Sequence, residues 1–295
     1  MNYKNKYLAI IRKIFLIQII ILFFCGLSSA SEEQDYPLWE LGLFAGAARI
    51  PHYRGSDEYN IYALPLPYFI YRGEIVQAGR DGIKGIFYKN NYIETNISIS
   101  GNPPVDGDND ARDDMPDLDA LFEFGPAVKW FFMGKDRQDN LYLEASLRAA
   151  SSLGFDRGLD IKYQGLRQGV NLIYNNKELF KNIKLIFGLN AGVDFTDSRL
   201  NGYFYDVGPG YVSHRRGYYD SDSGYAGFSV SGFLQKVLTK NLSLGGYLRL
   251  DNIKGAVFEN SPLVRDKNNI VVGCALSWKI IESKKRTVSD QDLNY

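Results

Sequence analysis

His52 and His214 are the two histidines of the chain. Each has a serine nearby in sequence, Ser56 and Ser213. A hydrolytic site needs a nucleophile, a base to take its proton and a group to orient the base. Both histidines fall in stretches that read as loops, where an imidazole usually faces solvent. The chain therefore reads as non-enzymatic, with no catalytic and no cofactor-binding residue assigned. Four acids invite a metal test: Asp106, Asp108, Asp110 and Asp117 match positions 1, 3, 5 and 12 of a calcium loop. Position 6, however, is Ala111 rather than Gly, and position 12 is Asp rather than Glu. A solvated acidic loop is the preferred reading, so no metal ligand is assigned. Divalent ions bridging this loop to lipopolysaccharide phosphates remain the alternative. No Gly-rich phosphate loop leads from a strand into a helix, no Cys/His spacing suits zinc, and no cofactor is implied.

The 295 residues carry 34 Lys+Arg against 34 Asp+Glu, a balance that argues against a nucleic-acid partner. Residues 1–13 hold Lys4, Lys6, Arg12 and Lys13 and no acid. A run from Ile14 to Phe24, apolar except for Gln18, follows, and then Ser28-Ser29-Ala30. This is the pattern of a secretory signal peptide over residues 1–30, cleaved near Ala30. The run is too short to cross ~30 Å of hydrocarbon as a helix, and Phe24 is too bulky before Cys25 for a lipoprotein anchor. After cleavage one cysteine remains, Cys274, so no internal disulfide can form.

The mature chain alternates. Ile183, Leu185, Phe187, Leu189, Ala191, Val193 and Phe195 oppose Asn182, Lys184, Gly188, Asn190, Gly192 and Asp194. Leu242, Leu244, Leu248 and Leu250 oppose Ser243, Gly245, Tyr247, Arg249 and Asp251. The same period of two runs through 122–132, 140–149 and 270–279. Strand side chains point alternately to two faces, so each segment has one oily and one polar face. Segments of this length suit tilted strands crossing a bilayer, ~9–11 residues each. Together they predict an all-β transmembrane antiparallel β-barrel with a polar lumen, over residues 31–280. It must close, because an open edge in lipid strands backbone groups without partners.

Strands are expected at 38–48, 61–71, 74–79, 82–88, 91–100, 120–133, 140–152, 159–175, 182–196, 224–237, 241–254 and 268–280. Long connectors alternate with short ones, as outer loops do with periplasmic turns, so both termini are expected in the periplasm. Three features resist the pattern. The third and fourth strands are short, Pro65 and Pro67 sit inside the second, and 159–175 changes phase near Gly165, as at a bulge. About twelve strands are expected, with ten left open. The inward set mixes signs: Glu94, Glu123, Lys129, Glu144, Arg148, Lys184, Asp194, Arg249 and Asp251. A lumen knitted by ion pairs is preferred over a narrow pore. Residues 281–295 form a polar C-terminal tail.

Several motifs occur in order along the chain: Tyr53-Arg54-Gly55-Ser56-Asp57, Leu64-Pro65-Leu66-Pro67-Tyr68, Tyr71-Arg72-Gly73 and Gly79-Arg80-Asp81-Gly82-Ile83. Then come Ala111-Arg112, Met115-Pro116-Asp117-Leu118, Glu123-Phe124-Gly125-Pro126, Tyr203-Phe204-Tyr205, Gly224-Tyr225-Ala226-Gly227 and Ser261-Pro262-Leu263-Val264. This succession resembles the MipA/OmpV family of outer-membrane proteins across essentially the whole mature chain. Two departures stand out: Asp114 replaces an expected Gly, and a polar tail follows Trp278 where the family ends on an aromatic residue. The resemblance implies an outer-membrane barrel surrounded by lipid and lipopolysaccharide. One branch of the family is similar to the scaffold that links a lytic transglycosylase to a bifunctional penicillin-binding protein in peptidoglycan remodelling. The other looks like surface antigens and adhesins, sometimes treated as small porins. The tyrosine-rich loop 197–223 would serve either adhesion or an aromatic girdle.

Overall fold

The computed structural model describes residues 36–73, 76–79, 82–105, 109–134, 139–155, 158–180 and 185–287. The expected leader and its cleavage point, Asp106, Asp108, Lys184 and the last eight residues of the tail lie outside them. The strands are β1 (Tyr36–Pro37), β2 (Trp39–Pro51), β3 (Tyr59–Arg72), β4 (Val76–Gly79), β5 (Gly82–Gly85), β6 (Tyr88–Lys89), β7 (Ile93–Asn102) and β8 (Ala120–Phe131). They continue as β9 (Asp139–Gly154), β10 (Asp160–Phe180), β11 (Leu185–Thr196), β12 (Gly224–Val237), β13 (Leu242–Asn252), β14 (Asn268–Glu282) and β15 (Arg286–Thr287). Every strand expected from the alternation has its counterpart, and β1, β6 and β15 are short additions.

All pairings are antiparallel, and thirteen strands form one sheet in the order β5-β4-β3-β2-β14-β13-β12-β11-β10-β9-β8-β7-β6. The last long strand returns to the first: β14 pairs with β2 from Val272↔Arg49 to Glu282↔Glu40. At the other end of the order β5 lies beside β7, so the sheet wraps into a barrel. Among the described residues no helix is long and apolar enough to cross a membrane.

Burial follows the predicted faces. In β14 alternate residues are buried along most of its length, while Ile270, Val272, Leu276 and Trp278 are exposed. In β13 Leu244, Leu248 and Leu250 are exposed and Asp251 is buried. An exposed leucine stripe around a sheet wrapped into a barrel is the lipid face of a membrane barrel. The expected phase change is a bulge, with register shifting between Tyr163 and Gly165. Gly165 has φ +125, a conformation that L side chains rarely adopt. Ile161 and Tyr163 are exposed before it, and Leu166, Val170 and Leu172 after it, so the bulge keeps one oily face outward.

Short connectors and both terminal segments share one end, the periplasmic one. There β1 pairs with β15 through Tyr36↔Thr287 and Pro37↔Arg286. The polar tail thus begins as a continuation of β14 and folds back onto the first ordered residues. Long connectors gather at the opposite end. The longest contains α1 (Ser198–Tyr205), whose cap Asp197 accepts a bond from the Leu200 amide at 2.9 Å. The other Asp197 oxygen accepts from the Leu166 amide at 2.9 Å, which docks α1 on the bulge.

Candidate functional site

The outer loops turn inward and pack on one another. Tyr53, Leu118, Leu200, Phe204, Tyr205, Ile253 and Phe258 belong to one buried cluster at the barrel mouth. Tyr205 stacks on Phe258 with ring centroids 3.8 Å apart and meets Tyr53 edge-on at 6.1 Å. Each buried phenol donates to a carbonyl of a different loop: Tyr53 to Leu263 at 2.8 Å, Tyr203 to Asp119 at 2.8 Å, Tyr205 to Arg54 at 2.7 Å. Arg112 donates to the Phe204 carbonyl at 2.9 Å, and Arg216 to that of Ala111 at 3.1 Å. Four loops are stapled into a plug. Burial pushes the Tyr53, Tyr203 and Tyr205 phenols well above the ordinary tyrosine range, with nearby arginines opposing. Burial likewise pulls the Arg112 guanidinium down, the Tyr53 phenol opposing.

The residues that the sequence offered for chemistry are parts of this plug or its surface. His52 and Ser56 do meet, but through Asn109: its amide nitrogen lies 3.0 Å from His52 Nδ1 and 3.2 Å from Ser56 Oγ. Ser56 is fully buried, and its hydroxyl also accepts from the Glu58 amide at 3.1 Å. The asparagine stands between base and hydroxyl, so these side chains act here as loop staples. His214 and Ser213 are exposed. Of the acidic quartet, Asp110 opens a short 3-10 turn, and Ala111 beside it is buried in the plug. Among the described residues no three His, Cys, Asp or Glu side chains are placed to hold a metal. Asp114 has φ +60, the left-handed region, which is the physical reason a glycine is expected there. Tyr203 and Tyr205 lie in the plug rather than on the surface or at a lipid girdle; Tyr218 is 61% exposed.

Below the plug the lumen is charged. Arg54 descends from its loop to bond Asp194 at 2.9 Å, with Asp251 at 3.3 Å. Arg249 reaches Asp251 at 2.7 Å, and Arg167 spans Glu123 at 3.0 Å and Asp194 at 3.6 Å. Arg148 lies 3.3 Å from Glu123, and Lys129 sits 3.9 Å from both Glu94 and Glu144. Every described member of the inward set expected from sequence joins this network. Two members were missed. Arg54 was read only as a loop residue, and Arg167 follows the Gly165 phase change. Gly227, at φ +114, carries no Cβ where the Arg54 guanidinium passes. Within the network lies a cavity of about 390 Å³. Toward the periplasm Phe44, Tyr68, Ile70 and Ile186 form a buried apolar layer inside the barrel. Below it Arg72 is fully buried against Glu40 and donates to the Pro37 carbonyl at 2.9 Å.

The motifs that carry the family resemblance therefore converge. Tyr53-Arg54-Gly55-Ser56, Ala111-Arg112, Tyr203-Phe204-Tyr205 and Ser261-Pro262-Leu263 all meet in the plug, and Glu123 lies directly beneath it. The family described as MltA-interacting protein MipA matches residues 43–280. The chain belongs to the MipA family. No curated protein matches it. Among solved structures it is similar to the outer membrane protein OprG from Pseudomonas aeruginosa, at 9% identity over 85% of this chain and 99% of that one, TM-score 0.22. Pseudomonas putida OprB is similar at 10% identity over 82% and 94%, TM-score 0.33. Outer membrane phospholipase A from Escherichia coli is similar at 10% over 88% and 96%, TM-score 0.25. As a MipA-family barrel the chain resides in the outer membrane.

Proposed function

We propose that this MipA-family barrel is a non-enzymatic scaffold of the cell envelope, docking a lytic transglycosylase and a penicillin-binding protein for peptidoglycan remodelling. Export on the 1–30 leader and a surround of lipid and lipopolysaccharide belong to the same reading. One observation carries it: the lumen is capped by the plug and floored by an apolar layer, while the periplasmic end is built up. The β1–β15 ribbon is fastened to the barrel by Leu38 N–H donating to the Lys285 carbonyl at 2.9 Å and Ser283 N–H to that of Trp39 at 2.9 Å. With the Arg72–Glu40 pair behind it, this end offers a rigid surface facing the murein layer. The family description, MltA-interacting protein, supports the partner class.

The test is a pull-down from envelope extracts with the full-length protein and with a variant ending at residue 282. The murein enzymes are expected with the first and depleted with the second. Recovery of neither enzyme by the intact protein would refute the scaffold reading. The cavity keeps a second reading in view, a small diffusion pore. The plugged and ion-paired lumen predicts that the purified barrel is silent in a planar bilayer; steady conductance would favour the pore. Adhesion through 197–223 would rest on Tyr211 and Tyr218, and loss of host-cell binding on deleting that loop would support it.

A further inference from the structure

The lumen and the lipid face hold arginine differently. In the lumen Arg54, Arg148, Arg167 and Arg249 each meet a carboxylate. On the outside Arg49 and Arg199 do not. Both are exposed, and among the described residues neither guanidinium makes an ion pair or a hydrogen bond. Each lies instead over the face of a tyrosine ring.

The Arg49 guanidinium carbon is 3.5 Å from the Tyr59 ring centroid. That ring is held in place, because its phenol oxygen accepts from the Ile270 amide at 3.3 Å and from the Asn269 side-chain amide at 3.4 Å. Leu41, Leu43, Ala45 and Ala47 precede Arg49 on the same face of β2. Its cross-strand neighbours, Val272 and Ile61, are exposed apolar residues. From Leu41 to Arg49 the strand climbs ~27 Å at ~3.4 Å per residue, or about 20 Å of height at a tilt of ~40°. Arg49 therefore stands at the outer margin of an apolar band ~25 Å tall, just below the loop that follows Pro51.

Arg199 repeats the arrangement elsewhere on the rim. Its guanidinium carbon is 5.1 Å from the centroid of Tyr163, which is exposed on the oily side of the bulge. Asp197, the nearest acid in sequence, is engaged by the Leu166 and Leu200 amides. Helix α1 thus brings the arginine to the rim while its cap keeps the carboxylate occupied. Between β2 and β10 the sheet runs through β14, β13, β12 and β11. At ~4.8 Å per strand the two tyrosine-backed arginines stand roughly 24 Å apart around the wall.

A guanidinium lying flat on a phenol covers its face and leaves its edge N–H groups free. That edge is a fork of donors that binds phosphate oxygens in pairs. A cation at the margin of hydrocarbon is costly unless an anion stands beside it. We propose that Arg49 with Tyr59, and Arg199 with Tyr163, form two sockets on the lipid-facing rim, each holding a phosphate of a phosphorylated glycolipid of the outer leaflet. The arginines bind the phosphate, and the tyrosines are positioning residues. This rests on the lipopolysaccharide surround of the proposed function and not on its murein partners.

The test is native mass spectrometry of the folded full barrel in detergent micelles. The probes are monophosphoryl lipid A, lipid A stripped of phosphate, and inorganic phosphate. Two retained monophosphoryl lipid A molecules per barrel are expected, little retention of the stripped lipid, and no displacement by excess inorganic phosphate. Arg49→Gln and Arg199→Gln should each weaken one site by about tenfold, the loss of one charge-assisted bond, and the double variant should retain neither lipid. Tyr59→Leu should weaken the Arg49 site severalfold, while Tyr59→Phe, which keeps the ring, should bind nearly as the parent does. Heat-modifiable migration on electrophoresis checks folding of each variant. Equal retention of the stripped lipid overturns the proposal, as does unchanged stoichiometry in the double variant. Displacement by inorganic phosphate would make a free anion the occupant and overturn it too. Co-fractionation of the native protein with lipopolysaccharide tests the surround itself, so the surround and the sockets can fail separately.

Discussion

The two ends of this barrel are closed by opposite means. At the outer mouth, loops from four parts of the chain are held by phenols donating to backbone carbonyls, around stacked rings. At the periplasmic end closure comes instead from apolar side chains on the strands themselves, backed by the buried Arg72–Glu40 pair. The outer closure is an added part, separable from the wall. The inner closure is the wall. Damage to the first should be local, and damage to the second should be felt by the whole barrel.

The largest expected effect is at the base. Arg72→Ala leaves Glu40 buried without its cation, a change of ~3–5 kcal/mol, and urea unfolding in vesicles should shift for the entire barrel. The companion variant Glu40→Gln/Arg72→Met should recover much of the loss. Tyr205→Ala removes the ring stacked on Phe258 and the bond to Arg54, costing ~3–5 kcal/mol of plug stability. Here the barrel should keep its unfolding midpoint, while limited proteolysis of 197–223 accelerates and conductance appears in planar bilayers. Unfolding of the whole barrel by this variant would erase the distinction between the two ends.

Alkali offers a gentler probe. The plug phenols bind their protons more tightly folded than unfolded, first because of burial. Their contribution is complete below the ordinary tyrosine pKa of about 10 and is lost as pH rises through the higher folded values. Spectrophotometric titration should show three phenols ionising late, together with loosening of the plug and not of the wall. The smallest effect concerns Asp114. Replacing it with Gly relieves a left-handed backbone and should stabilise the plug by ~1 kcal/mol, slowing loop proteolysis about fivefold.

The wall was legible in sequence because its physics is local: a strand between lipid and water must alternate, and Leu244, Leu248 and Leu250 announce their face by spacing alone. The bulge at Gly165 was legible for the same reason, as a break in that period. The plug was not. Tyr53, Arg112, Tyr205 and Leu263 belong to segments without periodicity, and their partners lie up to 210 residues away. Only the succession of motifs hinted that they mattered, and it could not say that they meet. Arg54 was hidden by its address, a loop residue whose guanidinium works among strands. Pro65 and Pro67 were seen as obstacles to a strand; the register turns their nitrogens away from β2, so that ladder loses no donor.

Arg54 also binds the molecule's outside to its middle. Its backbone carbonyl holds Tyr205 of the plug, and its guanidinium grips Asp194 and Asp251 of the wall. Anything that lifts the surface loops must draw this one side chain upward like a cork on its wire. Asp194 would then keep only Arg167 and Asp251 only Arg249, so a tug on the surface is felt as a loosening of charge inside the wall.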